Sequence, residues 1–135
     1  MNSPKLFMIL LGCCPKGRLT EQHDIFFGIA NNLIDLVPSM NSFWPEAKGV
    51  LHIDAWRAVG VVDGYSIEVV PVTETIVNEK QLFFINLGGY AQDMFDEAHH
   101  KMLVVAKTKA EAILPTNQTN FYKKRGVEGR THNEN

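Results

Sequence analysis

Cysteine is scarce in this chain of 135 residues: there are two, Cys13 and Cys14, and they are adjacent. Neighbouring thiols close no useful loop and match neither a C-x-x-C motif nor a zinc-finger spacing, which excludes a disulfide scaffold and points to a reduced, cytosolic chain. Long hydrophobic runs are missing too. The apolar run Leu6–Leu11 has six residues, short of the roughly 7–15 of a secretory core and of the roughly 20 of a membrane span. An excess of positive charge is also lacking. Thirteen Lys and Arg stand against fifteen Asp and Glu, a formal net charge of −2, so the electrostatic footprint of a general nucleic-acid binder is absent. What remains is 45% hydrophobic and 21% charged, too apolar for a disordered chain, and the length suits one domain with one sizeable core.

The most informative feature present is an internal repeat. Shifting the chain by 76 positions lays Leu6-Phe7-Met8-Ile9-Leu10-Leu11-Gly12 over Leu82-Phe83-Phe84-Ile85-Asn86-Leu87-Gly88, and Glu21-Gln22-His23 over Glu97-Ala98-His99, without a gap. Over the eighteen positions from Leu6 to His23 seven are identical, where average residue usage gives about one. Lys5, the apolar run and Gly12-Cys13 imitate a lipoprotein signal, but such a signal has no reason to recur in mid-chain.

Each copy opens with a run of β-formers closed by Gly, which predicts a buried strand. Thr20 and Asp96 are good N-cap residues followed by Glu21 and Glu97, which predicts a helix from each. In the first, Gly28, Asn31, Asn32 and Asp35 form one polar stripe at helical spacing, and Pro38 and Pro115 are expected to stop the two helices. Val50–Val59 and Tyr65–Val70 read as strands around the turn signal Asp63-Gly64. The expected architecture is α+β: a two-layer sandwich, a mixed β-sheet with two helices on one face, built from a duplicated β-α-β-β unit. Residues 1–135 form a single domain, with unit one at 5–71, a connector at 72–80, an incomplete unit two at 81–122 and a polar tail at 123–135, taken to be mobile. Phe121-Tyr122 and His132-Asn133-Glu134 echo Phe43-Trp44 and His52-Ile53-Asp54, but the counterpart of Ala55–Val70 is missing.

The strings LFMILLG, EQHD, FWP and LHIDAW with VDGY behind them, in that order, resemble the bacterial domain-of-unknown-function family 1543. The resemblance covers nearly all of residues 5–71 and returns more faintly from 81. It implies a small α+β module and brings no assigned activity. The second unit departs from it by lacking a hairpin.

Two polar clusters are the candidate chemistry: Glu21, His23 and Asp24 at the expected helix start, and His52 with Asp54 on the next strand, where alternation puts both on one face. The second copy repeats the residue types as Glu97, His99, His100, His132 and Glu134. Glu21 and His23 lie two apart, a spacing that diverges on a helix. The structural alternative is that His23 bonds a loop carbonyl or Asp54 while Glu21 serves a helix dipole. Candidate ligand-binding residues are therefore Glu21, His23, Asp24, His52, Asp54 and His99. Lys16 and Arg18, in a strand-to-helix loop that is not a Walker sequence, are a candidate anion site. Cys13 and Cys14 lack an activating base, and Phe43, Trp44 and Trp56 lack interleaved basic residues and read as core or interface. No cofactor is legible. The reading favours a non-enzymatic, self-associating interaction module, a homodimer that covers the edge left by the missing hairpin. Its alternative is a small-ligand or metal-binding protein, or an enzyme, using His23, His52 and Asp54. No nucleic-acid or membrane partner is expected.

Overall fold

The run of β-formers from Leu6 does make a strand. In the computed structural model, which describes residues 3–73, 79–119, 121, 123 and 131–132, β1 (Lys5–Cys13) is central in its sheet. Its odd-numbered residues Phe7, Ile9, Leu11 and Cys13 are all buried, as one face of a period-two element should be. The described residues fall into two compact units, Met1–Val61 with Ser66–Glu74 and Val62–Tyr65 with Thr75–Asn135.

In the first unit the segment expected to be a helix is instead β2 (Gln22–Ala30), antiparallel to β1 along its whole length, from Lys5↔Ala30 to Cys13↔Gln22. Ile25, Phe26, Phe27 and Ile29 are β-branched or aromatic, and pairing with a preformed apolar strand rewards them more than an isolated helix would. The polar stripe was a coincidence of spacing. Gly28 lies opposite Phe7, and a Cβ there would sit 2.8 Å from Leu36 Cδ2; it is a packing glycine. The chain turns helical only afterwards, in a 3-10 turn (Leu33–Leu36) and α1 (Val37–Phe43). Pro38 occupies the first turn of α1 and Pro45 opens a second 3-10 turn: proline starts these helices rather than stopping them, because its missing N–H is unneeded there. Leu36 and Met40 cover Phe7, Ile9 and Leu11, with Phe26, Trp44 and Leu51 around them.

On the other side of β1 runs β3 (His52–Ala58), also antiparallel, giving the order β2-β1-β3. The pairing is therefore antiparallel rather than mixed, since consecutive strands joined by a loop need no crossover helix. The register slips between Leu11↔Ile53 and Leu10↔Ala55, so Asp54 is the extra residue of a β-bulge. The hairpin β4 (Val61–Val62) and β5 (Tyr65–Ser66) turns at Asp63-Gly64, with φ of 51° and 79°, the two positive values a type I′ turn demands. The strand expected to reach Val70 ends at Ser66.

The second unit has β6 (Gln81–Gly89) against β7 (Ala98–Ala106), from Gln81↔Ala106 to Gly89↔Ala98. Each of these pairs is a β1–β2 pair moved on by 76 positions. Again the expected helix is a strand, and helix α2 (Lys109–Ile113) follows it. Thr108 Oγ1 accepts the Glu111 N–H at 3.2 Å and Glu111 Oε2 accepts the Lys107 N–H at 3.3 Å, close to the reciprocal pattern of a capping box. Pro115 then opens a 3-10 turn (Leu114–Gln118). Ala112 packs on Ile85, Leu87, Val104 and Ala106. The hairpin tip Val62–Tyr65 belongs to this unit: Asp63 Oδ2 accepts the Val105 N–H at 2.9 Å, and the Lys80 ammonium lies 5.6 Å from the Tyr65 ring centre. β8 (Thr131–His132), inside the segment read as a polar tail, pairs with β6 as Asn86↔His132 and Leu87↔Thr131. Part of the edge expected to stay bare is thus covered. Residues 74–78 of the connector, and Tyr122, Asn133 and Glu134 of the echoed motifs, lie outside the described residues.

Candidate functional site: two imidazoles and two carboxylates above Gly12

Gly12 is the middle of a three-strand row. His23 of β2 lies opposite it on one side and His52 of β3 on the other. Strand alternation puts both imidazoles on the face of the sheet away from α1, because Leu11, one residue back, faces the α1 core. Glu21 precedes β2, two residues from His23, so the spacing that would separate them on a helix brings them together here. Asp54, two residues from His52 on β3, shares its face as strand alternation expects, and although it stands at the bulge its carboxylate meets the imidazoles of the Gly12 row.

Four side chains meet as a result. His23 Nε2 is 2.8 Å from Asp54 Oδ2 and 3.8 Å from Glu21 Oε2. His52 Nε2 is 3.2 Å from Asp54 Oδ1 and in close contact with Glu21 Oε1. Each imidazole therefore faces both carboxylates, and the four contacts use four different oxygens. Ligand atoms of Glu21, His52 and Asp54 all lie within 4.8 Å of one another. The cluster sits at the surface, its side chains between 31% and 50% exposed. Such pairs gain little from Coulomb attraction in water, about 0–1 kcal/mol each, so stability alone is a weak reason to gather four of them.

The role of Gly12 is spatial. A Cβ there would lie 2.5 Å from His52 Nε2, 2.6 Å from Asp54 Oδ2 and 2.7 Å from Glu21 Oε1; the polar heads occupy the volume a side chain would fill. Sequence reasoning took this residue only as the end of a strand, although its recurrence as Gly88 was the available signal.

The other candidates go elsewhere. Asp24 lies opposite Leu11, hence on the other face, and its Oδ1 accepts the Ile25 N–H at 2.8 Å. His99 is in the second unit, opposite Gly88, 3.4 Å from Glu97 Oε1 through Nε2 and 3.2 Å from Asn86 Oδ1 through Nδ1. His100 stacks on Phe121 with ring centres 5.6 Å apart. Lys16 and Arg18 are exposed in the loop 14–21. That loop joins two strands, so the helix N-terminus on which an anion site depended is not there. Cys13 is buried, and the exposed Cys14 thiol faces the Arg18 and Thr20 carbonyls at 3.8 Å. Trp56 packs against Phe7 with ring centres 5.9 Å apart and planes tilted by 59°, which places it beside the core. Among the described residues no helix is long and apolar enough to cross a membrane.

The family described as Domain of Unknown Function (DUF1543) matches residues 18–69, a stretch holding Glu21, His23, His52 and Asp54 and starting after Gly12. No curated protein matches the chain. Among solved structures, the crystal structure of a protein Il1583 from Idiomarina loihiensis is similar over 98% of this chain and 79% of its own, with a TM-score of 0.70 and 22% identity. At that identity the likeness is one of fold.

Proposed function

We propose that this chain, which belongs to the DUF1543 family through residues 18–69, is a divalent-cation-binding protein. Its site is built by Glu21, His52 and Asp54, with His23 beside them. One observation carries the reading: each Nε2 faces one oxygen of Glu21 and one of Asp54. A neutral imidazole has one N–H to give, so two rings cannot satisfy four oxygens, whereas one dication among them takes lone pairs from all sides. Ligands at about 2.1 Å from a tetrahedral zinc are roughly 3.4 Å apart, and the contacts here already scatter around that spacing. Imidazole with carboxylate favours a transition metal or zinc over calcium, which takes oxygen alone. The exposure of the cluster leaves room for water or a small ligand on the ion.

Calorimetric titration with zinc chloride in a non-chelating buffer tests this. The expectation is a tight class of site holding one ion, which His52→Ala and Glu21→Gln each weaken at least tenfold while the melting temperature of the zinc-free protein stays within a few degrees. Absence of heat and of any zinc-dependent melting shift would leave the cluster as a surface ion-pair network.

Self-association is a second reading, favoured by β3. This strand ends the order β2-β1-β3, is exposed along its whole length and carries Trp56 at 55% exposure. An exposed edge with a large aromatic residue is a template for pairing with a second copy. Light scattering over a dilution series should give a dimer that Trp56→Lys dissociates; a monomer at every concentration would remove this reading and leave the first untouched.

A further inference from the structure

We infer that the second unit holds a second, weaker divalent-cation site, formed by Glu97 and His99 above Gly88, with Asn86 as the residue that positions His99. The inference rests on the cation-binding reading of the first unit, and it comes from residues which that site does not use. Gly88 lies opposite His99 just as Gly12 lies opposite His23. Glu97, like Glu21, stands two residues before its histidine. The space above the glycine is again filled by polar heads. A Cβ on Gly88 would overlap Glu97 Oε1 and come within 3.4 Å of His99 Cε1.

The surroundings of the His99 ring point to the ligand. Asn86 Oδ1 lies 3.2 Å from Nδ1, and Glu97 Oε1 lies 3.4 Å from Nε2. In the tautomer that donates its Nδ1–H to Asn86, Nε2 presents a lone pair to the carboxylate, and a cation seated between the two is bound by both. A ring N–H donated to a carbonyl oxygen while the other nitrogen binds metal is the usual outer-shell arrangement of a ligating histidine.

The weakness of the site follows from the third strand. In the first unit β3 brings His52 and Asp54 to the Gly12 row. In the second, β8 spans Thr131–His132, and its backbone register sets His132 opposite Asn86 rather than Gly88. The described ligands are then one imidazole and one carboxylate, with half the negative charge of the first cluster. Water completes the coordination shell.

Titration of the full chain with zinc chloride, followed by calorimetry and by the zinc retained after equilibrium dialysis, tests the inference. Two classes of site are expected, one ion each, the second at least tenfold weaker. His52→Ala should remove the tight class and spare the weak one, and His99→Ala the reverse. Asn86→Ala, which frees the ring to turn, should weaken only the second class by several-fold without altering the first. A single class of one ion that survives His99→Ala overturns the second site and leaves the first standing. A weak class that persists in His99→Ala and Glu97→Gln is adventitious binding and overturns it equally. Failure to bind zinc at all overturns both readings.

Discussion

Two glycines in neighbouring strands illustrate how differently one substitution acts. At Gly12 an added methyl meets His52, Asp54 and Glu21 through the far ends of partly exposed side chains, which can swing into solvent. Gly12→Ala should therefore fold, with a stability change within about 1 kcal/mol, while zinc affinity falls at least tenfold because the ligands no longer converge. At Gly28 the methyl meets Leu36 Cδ2 at 2.8 Å and Phe26 Cε1 at 2.9 Å, atoms fixed by the packed core. Gly28→Ala should cost roughly 1–3 kcal/mol by overpacking and leave the zinc affinity of the surviving folded protein unchanged. Thermal melts paired with calorimetry on the two variants separate these outcomes, and equal effects on both quantities would contradict the placement of Gly12 in the site. In the same core Ile9 and Leu11 are fully buried, and Leu11→Ala should lose about 2–5 kcal/mol.

The elements depend on local signals of unequal strength. Helix α2 has five residues, too few to persist without help, so its cap matters. Thr108→Ala removes the acceptor of the Glu111 N–H and should cost about 1 kcal/mol, read as a lower denaturant midpoint at unchanged slope. The hairpin tip depends on backbone shape. Gly64 holds φ at 79° with open space around its Cα, so Gly64→Val should lose stability through backbone strain rather than by a clash, in the range of 1–2 kcal/mol, and Gly64→Asn should recover part of the loss because Asn tolerates that region. Both the turn and the two apolar strands could be read from composition and order. The segments Gln22–Ala30 and Ala98–Ala106 could not. Good cap residues and a helical stripe point to helices there, whereas the i, i+2 spacing of Glu21 with His23, and of Glu97 with His99, is that of a strand.

For the chain as a whole, the two units carry separate cores, Phe7–Ile9–Leu11 with α1 and Ile85–Leu87–Val104 with α2. A ligand that binds only folded protein adds about 2.7 kcal/mol of stability at a hundred times its dissociation constant. Zinc at that multiple of the tight site's constant should slow amide hydrogen exchange in β1 and β3, where the Gly12 row is formed. β6 and β7 should gain less at the same concentration, their proposed site being at least tenfold weaker. Equal protection of both hairpins, or none in β3, would contradict the assignment of the tight site to the first unit.

Apolar runs closed by glycine made β1 and β6, Asp63-Gly64 made a two-residue turn, the shift of 76 positions marked two hairpins of one register, and the residue types of the cluster were all present in the two motifs that led to them. Local signals suffice there because strand runs and turns are decided within a few residues. Three features depend on tertiary pairing: the segments after Thr20 and Asp96 pair as strands, the pairing of β2 and β3 with β1 brings Glu21 and His23 to the His52–Asp54 face, and Gly12 leaves the space in which four polar heads meet. The β1–β3 register in particular joins segments about forty residues apart. A shift of one residue in that register would send every side chain of β3 to the opposite face, and nothing local in the chain specifies it.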